Sequence, residues 1–147
     1  MNKIDTLSLS AGNKVEEIVP IISGKVNVAD YLEKQVELQP NKRAVIVPEG
    51  LNKEGRYRYS HLTFAQLLDR TNFYAHAMTA YGIGFGDRVL VGIRPGFDLV
   101  AVTFALYKMG AVPVFIDPGM GKAGLLNCVQ QCQAKAMVAE FKAHAVS

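Results

Sequence analysis

The sequence predicts an α/β protein: an N-terminal helix and β-hairpin, then a β-α-β-α-β parallel-sheet piece of an incomplete doubly wound domain. Three observations carry that prediction. Arg88 to Ile93 (RVLVGI) is apolar on both faces, as a central parallel strand covered by helices above and below must be. Apolar runs at Val89, Val112 and Ala136 recur at near-even spacing with helical patterns between them, and crossovers of this kind are right-handed almost without exception, so their strands run parallel. The joint Phe104 to Gly121 (FALYKMGAVPVFIDPGMG) ends a helix and starts a strand. Phe104, Leu106 and Tyr107 close the helical pattern, Lys108 sits in its last turn, and Gly110 stands where a left-handed residue is needed. The strand Val112 to Ile116 then runs into the turn Asp117-Pro118-Gly119.

The elements follow in chain order. Residues 1–26 are polar and weakly patterned and read as an N-terminal arm. Asn27 offers a cap side chain, and Val28, Tyr31, Leu32, Val36 and Leu38 mark a short amphipathic helix that Pro40 ends. Arg43 to Val47 is rich in β-branched residues and Arg56 to Ser60 alternates Arg and Tyr. These predict an antiparallel hairpin, 43–48 against 56–60, with Pro48 to Gly55 as its loop and one face of the second strand wet. Thr63 with Gln66 three residues on fits a capping box. Leu67, Leu68, Thr71, Tyr74, Ala75 and Met78 then share one helical face as far as Gly82. After the 88–93 strand come a helix over Phe97 to Met109, the 112–116 strand, a helix over Ala123 to Gln133, and a short strand over Ala136 to Ala139. Val89, Val91, Ile93, Val112, Val114 and Ile116 are expected to be largely buried, and Gly110 to take a positive φ.

Composition narrows the function classes. Half of the 147 residues are hydrophobic, 20% are charged, and the net charge is only +3; mean hydropathy is +0.13. Such a chain can build a core and is not a disordered segment. Its 16 Lys and Arg are dispersed, which leaves no basic stripe for nucleic acid or an anionic membrane. No apolar stretch approaches the ~20 residues of a membrane span, and Asp5, Lys14, Glu16 and Glu17 interrupt any signal-peptide core. A cytoplasmic protein is expected.

Metal chemistry finds little support. Cys128 and Cys132 lie four apart on one helical face but have no third ligand nearby, so they read as reduced packing thiols. His61, His76 and His144 are scattered, and His76, beside Tyr74, Ala75 and Met78, reads as a partly buried packing residue.

Four phrases in register resemble one family, the adenylate-forming (AMP-binding) enzymes: acyl-CoA synthetases, luciferases and the adenylation domains of peptide synthetases. Tyr59 to Leu67 (YSHLTFAQL) resembles the family's "Y-T-F-x-E-L" helix start, with Gln66 in place of the acidic residue. Gly82 to Val89 (GIGFGDRV) matches "G-x-x-x-G-D-R-V". A helix of the type "F-x-x-A-x-x-A-x-x-K-x-G-A" and an acidic-proline turn follow in order. The variant Asp117 to Gly121 (DPGMG) is similar to fatty-acid ligases, including β-lactone-forming synthetases. The resemblance implies that residues 27–147 are the N-terminal part of the large domain of an enzyme that adenylates a carboxylic acid with ATP and Mg2+. It implies no catalytic, cofactor-binding or metal residue in this chain, because the family's phosphate loop, orienting glutamate, ribose-binding aspartate and C-terminal lysine match no position here. The segment is then expected to be inactive alone, with the remainder of the parent enzyme as its partner and self-association through a truncated face.

Two other readings stay open. Gly119, Gly121 and Gly124 spell G-x-G-x-x-G after a strand and at a helix start, with Glu140 where a ribose-binding acid would stand. Against it, Asp117-Pro118 separates the loop from the strand and puts a negative charge beside the presumed pyrophosphate. The alternative to a dinucleotide site is a bland turn with Lys122 as a solvated loop charge. The second reading is a stand-alone flavodoxin-like interaction module, whose acidic cluster would have to come from Asp98, Asp117 and Glu140.

Overall fold

A computed structural model of the chain describes residues 27–116 and 121–140. Helix α1 (Val28–Leu38) begins at Asn27, whose side chain accepts from the Ala29 amide, as a cap residue should. The same side chain donates through Nδ2 to the Tyr107 carbonyl at 2.6 Å, tying the start of α1 to a distant helix end. Strands β1 (Arg43–Leu51) and β2 (Tyr57–Thr63) pair antiparallel.

This hairpin is longer than its sequence pattern suggests. Pairing continues from Pro48 with Tyr59 to Leu51 with Tyr57, and the turn shrinks to 52–56. In a two-stranded sheet each strand is an edge, where a proline such as Pro48 is tolerated. A register shift between Pro48 and Gly50 absorbs the extra residue, and Gly50 supplies the φ of 101°. Asn52 closes the turn by accepting from the amides of Glu54 and Arg56. Tyr57, Arg58 and Tyr59 are all exposed, so this half of β2 is wet on both faces rather than one.

Thr63 ends β2 and caps helix α2 (Phe64–Ala80), with both hydrogen bonds of the Thr63–Gln66 capping box formed. Leu67, Thr71 and Met78 are buried, as the helical spacing requires. Strand β3 (Arg88–Gly92), helix α3 (Phe97–Lys108), strand β4 (Val112–Phe115), helix α4 (Gly121–Cys132) and strand β5 (Ala136–Ala139) complete the order. Helix α4 begins two residues earlier than the sequence pattern suggests, so Lys122 is helical rather than a loop residue.

The three strands form a parallel sheet in the order β4-β3-β5. The chain moves one way across the sheet through α3 and back past β3 through α4. Right-handed crossovers in opposite directions place α3 and α4 on opposite faces, so the piece is doubly wound. Central β3 buries Val89, Leu90 and Val91, which accounts for its two apolar faces. Val89 and Val91 join Met78, Ile83, Val102, Ala105, Leu106 and Ala111 in one core cluster. A second cluster, built on Leu32, Leu67 and Ala101, joins α1, α2 and the hairpin. Helix α3 contributes to both clusters, which explains why it is apolar around most of its circumference.

Edge strand β4 corrects the sequence expectation. Val112 is 46% exposed, and Val114 and Ile116 are only half-buried. An edge strand has a neighbour on one side only, and apolar composition cannot distinguish it from a central strand. Gly110 does have a positive φ, 68°, and a Cβ there would lie 2.4 Å from the Phe85 ring.

Candidate functional site

In an open α/β sheet, ligands collect at the carboxyl ends of strands whose connections leave to opposite faces. Here that place is the end of β3 and β4, flanked by the first turn of α3. Five ionisable side chains from four regions line its α2–α3 side. Asp98, in the first turn of α3, accepts from Arg70 (Nη1–Oδ1, 3.1 Å) and from the Tyr74 hydroxyl (2.9 Å), both on α2. Arg94, just past β3, donates to Glu140 at 2.8 Å, just past β5. The Arg70 guanidinium also lies 6.0 Å from the Phe97 ring centre.

The electrostatics of this group is internally matched. Burial raises the Tyr74 pKa above its ordinary value, and the hydrogen bond to Asp98 raises it further. The phenol therefore stays a donor at neutral pH. The Arg70 and Asp98 side chains are 39% and 44% exposed, and a pair that wet contributes about 0–1 kcal/mol. Each acid has a cation and each cation an acid. The arrangement holds the β3–α3 turn against α2 and ties β5 to β3, without offering a base or nucleophile to a substrate.

A second pairing sits at the opposite, amino end of the sheet. Asp87 accepts from the Lys135 ammonium at 2.6 Å and from the Gly84 amide at 2.8 Å. The Lys135 bond first, then the Gly84 amide, hold its carboxyl below the ordinary carboxylate value. Arg88 reaches the Cys132 carbonyl, so the phrase Gly-Asp-Arg-Val clips the α4–β5 joint to the entry of β3. Lys108 likewise bridges Glu33 on α1 and Asn72 on α2.

The residues singled out in the sequence are distributed as follows. Gly119 and Asp117 lie outside the described residues. Gly121 opens α4 and Gly124 lies within it. Glu140 follows β5, which pairs with β3 and not with β4, whereas the dinucleotide fold sets its ribose-binding acid on the strand next to the glycine loop. Asp98 and Glu140, apart in sequence, both act on Tyr74. Their placement at a helix start and a strand end was the available signal, since a parallel sheet gathers such positions at one edge. The partners Arg70, Tyr74 and Arg94 carried no such signal. Cys128 and Cys132 are both half-buried thiols. His76 is exposed, which overturns its reading as a packing residue: it falls outside the buried stripe of α2, as does Phe73. His144 lies outside the described residues.

The described residues assemble no ATP–magnesium site. Among the described residues no group of three or more His, Cys, Asp and Glu side chains is placed to hold a metal ion. A wide surface depression of about 390 Å³, lined by Leu62, Gln66, Asp69, Arg70 and Phe73, lacks a converging set of phosphate donors. No helix among the described residues is long and apolar enough to cross a membrane.

Comparison with known proteins decides the family. Residues 32–147 match the model of the AMP-binding enzymes, which is most of the chain. The chain belongs to the AMP-binding enzyme family. Among similar proteins of this family, the olefin beta-lactone synthetase of Xanthomonas campestris pv. campestris is 34% identical over 113 residues, covering 76% of this chain and 20% of the synthetase. The medium-chain fatty-acid–CoA ligase of Escherichia coli is 31% identical over 112 residues, covering 76% of this chain and 18% of the ligase. The chain thus spans about a fifth of the length of these relatives. In fold it is similar to the coronafacic acid ligase of Pectobacterium brasiliense, with a TM-score of 0.67 at 22% identity over 79% of this chain and 21% of that one. The helix, hairpin and parallel sheet are likewise similar in fold to part of the N-terminal domain of FACL13 from Mycobacterium tuberculosis, with a TM-score of 0.65 at 21% identity over 77% of this chain and 26% of that one.

Proposed function

We propose that this AMP-binding segment is the N-terminal scaffold of a ligase that activates a fatty acid as its adenylate, and that it is inactive by itself. The observation that carries the reading is the family match over residues 32–147; four cations around the sheet are also each paired with an acid. Acyl adenylation depends on positioning plus stabilisation of the charge on the transferred phosphoryl group. The side chains that could supply it here, Arg70, Arg94, Lys108 and Lys135, are already engaged with Asp98, Glu140, Glu33 and Asp87. ATP and Mg2+ are then held by other residues of the ligase, and this segment sets the sheet against which those residues are arranged. The remainder of the ligase is its partner, in the cytoplasm. Fatty acids are favoured as substrates by the similarity to an olefin beta-lactone synthetase and a medium-chain fatty-acid ligase.

The test is ATP–pyrophosphate exchange with a panel of fatty, aromatic and amino acids. The 147-residue chain is expected to stay at the no-enzyme baseline with every acid. The whole ligase that contains it is expected to exchange with fatty acids above the others. Exchange by the 147-residue chain would overturn the scaffold reading, and a preference for aromatic or amino acids would overturn the substrate reading.

A further inference from the structure

Strands β1 and β2 turn an apolar face to water. In an antiparallel pair, directly opposite residues share a face. The register therefore puts Ile46 with His61, Pro48 with Tyr59 and Leu51 with Tyr57 on one side. Val45 with Leu62, Val47 with Ser60 and Gly50 with Arg58 lie on the other. That second face is the one that packs, since Val45 and Leu62 join the cluster built on Leu32, Leu67 and Ala101. It also carries the polar groups, with Ser60 donating to Glu49.

An antiparallel sheet packed on one side ordinarily reads polar on its wet side. Here the wet side is apolar: Ile46, Leu51, Tyr57 and Tyr59 are 55%, 58%, 64% and 63% exposed. The Tyr57 and Tyr59 rings lie 6.4 Å apart, centre to centre, so they form one surface. From Ile46 to Leu51 and from Tyr57 to His61, no paired residue on this face is Asp, Glu, Lys or Arg. A lipid headgroup layer or a nucleic acid would call for cations there. A face without charge and rich in tyrosine has instead the composition of a protein–protein interface core.

Its layout selects the partner. Aliphatic Ile46, Pro48 and Leu51 form one row along β1, and aromatic Tyr57 and Tyr59 form a second along β2. A two-fold axis parallel to the strands sets the aromatic row of one copy on the aliphatic row of another, and the reverse, as an isologous contact requires. With whole aromatic residues of about 150–250 Å², the exposures amount to a patch of about 500 Å². Two such patches withdraw about 1,000 Å² from water, the lower bound of a specific interface, which makes the contact a weak one.

We propose that the outer face of the β1–β2 hairpin is a homodimer interface, in which Tyr57 and Tyr59 of one copy pack on Ile46, Pro48 and Leu51 of a second copy. The contact is apolar and does not involve the acid or nucleotide that the ligase handles.

Sedimentation equilibrium of the 147-residue chain tests this without any activity measurement. The average mass is expected to approach twice the 16.0 kDa of one chain at about 1 mM and to fall to one chain at about 1 µM, the range in which an interface this small dissociates. Raising NaCl to about 1 M, which screens surface charge, is expected not to weaken the dimer. Tyr57→Ser/Tyr59→Ser removes rings that are mostly in water, so circular dichroism and the urea midpoint should be unchanged. Dissociation is expected to become at least about tenfold easier, as it is for Leu51→Ser in the facing row. Tyr57→Phe/Tyr59→Phe keeps the rings and is expected to keep the dimer. A monomer at every concentration would overturn the proposal and leave the face to the rest of the ligase. A dimer that survives Tyr57→Ser/Tyr59→Ser, or one that salt dissolves, would also overturn it.

Discussion

Strands β3 and β4 are nearly interchangeable as text, yet the molecule treats them oppositely. Val89, Leu90 and Val91 of β3 are 0%, 6% and 7% exposed, whereas Val112 and Phe115 of β4 are 46% and 53% exposed. Both are short apolar strands in one parallel sheet, and their register is continuous from Arg88 with Val112 to Val91 with Phe115. What separates them is place. β3 has a neighbour on either side and helices over both faces, while β4 has one neighbour. Hydrophobicity therefore reports that a segment belongs to the sheet, and topology decides how much of it is shielded.

The largest expected effect comes from a charge on each strand. Val91→Asp buries a carboxylate with no partner and is expected to abolish folding, a loss beyond about 4 kcal/mol. Phe115→Asp faces water and is expected to change stability by no more than about 0.5 kcal/mol. Urea unfolding followed by circular dichroism checks both, and equal effects would erase the distinction. Next in size is Gly110→Ala, at the turn that feeds β4. The left-handed backbone there costs a side-chain-bearing residue about 1–2 kcal/mol, and Phe85 must also move aside. A loss of that size in the same urea experiment is expected.

Much of the fold was legible before any coordinates. The Thr63–Gln66 capping box, the Asn27 cap and the buried face of α2 each rest on short-range chemistry that the sequence displays directly. The edge character of β4 was legible too, in Pro113: proline has no amide to give and is at home on an edge strand. The charged group at the carboxyl edge was not legible, because Arg70, Arg94, Asp98 and Glu140 come from four stretches that only the β4-β3-β5 order brings together.

A smaller effect is expected at the packed layer beneath the sheet. The Thr71 hydroxyl is fully buried and has no hydrogen-bond partner. Thr71→Val keeps the shape and removes that unsatisfied group, so a gain of about 1 kcal/mol in thermal or urea stability is expected. The smallest effect lies at the exposed Asp87–Lys135 pair. A carboxyl held below its ordinary value binds fewer protons folded than unfolded, so its contribution is complete above the ordinary carboxylate range. It fades as pH falls through the depressed folded value. Asp87→Asn is expected to lower stability slightly at neutral pH, to change it least in acid, and so to flatten the acid limb below about 4.

Residue-resolved hydrogen exchange across the sheet tests the difference between the two strands most directly. In a parallel strand successive amides point to alternate sides. The Val112 amide donates to the Asp87 carbonyl, so Val114 also points at β3, while Pro113 and Phe115 point outward. The amides of Val89, Leu90 and Val91 should all be slow, the Val114 amide slow, and the Phe115 amide fast. A Phe115 amide as slow as that of Leu90 would mean that another strand covers β4, and would contradict its place at the edge.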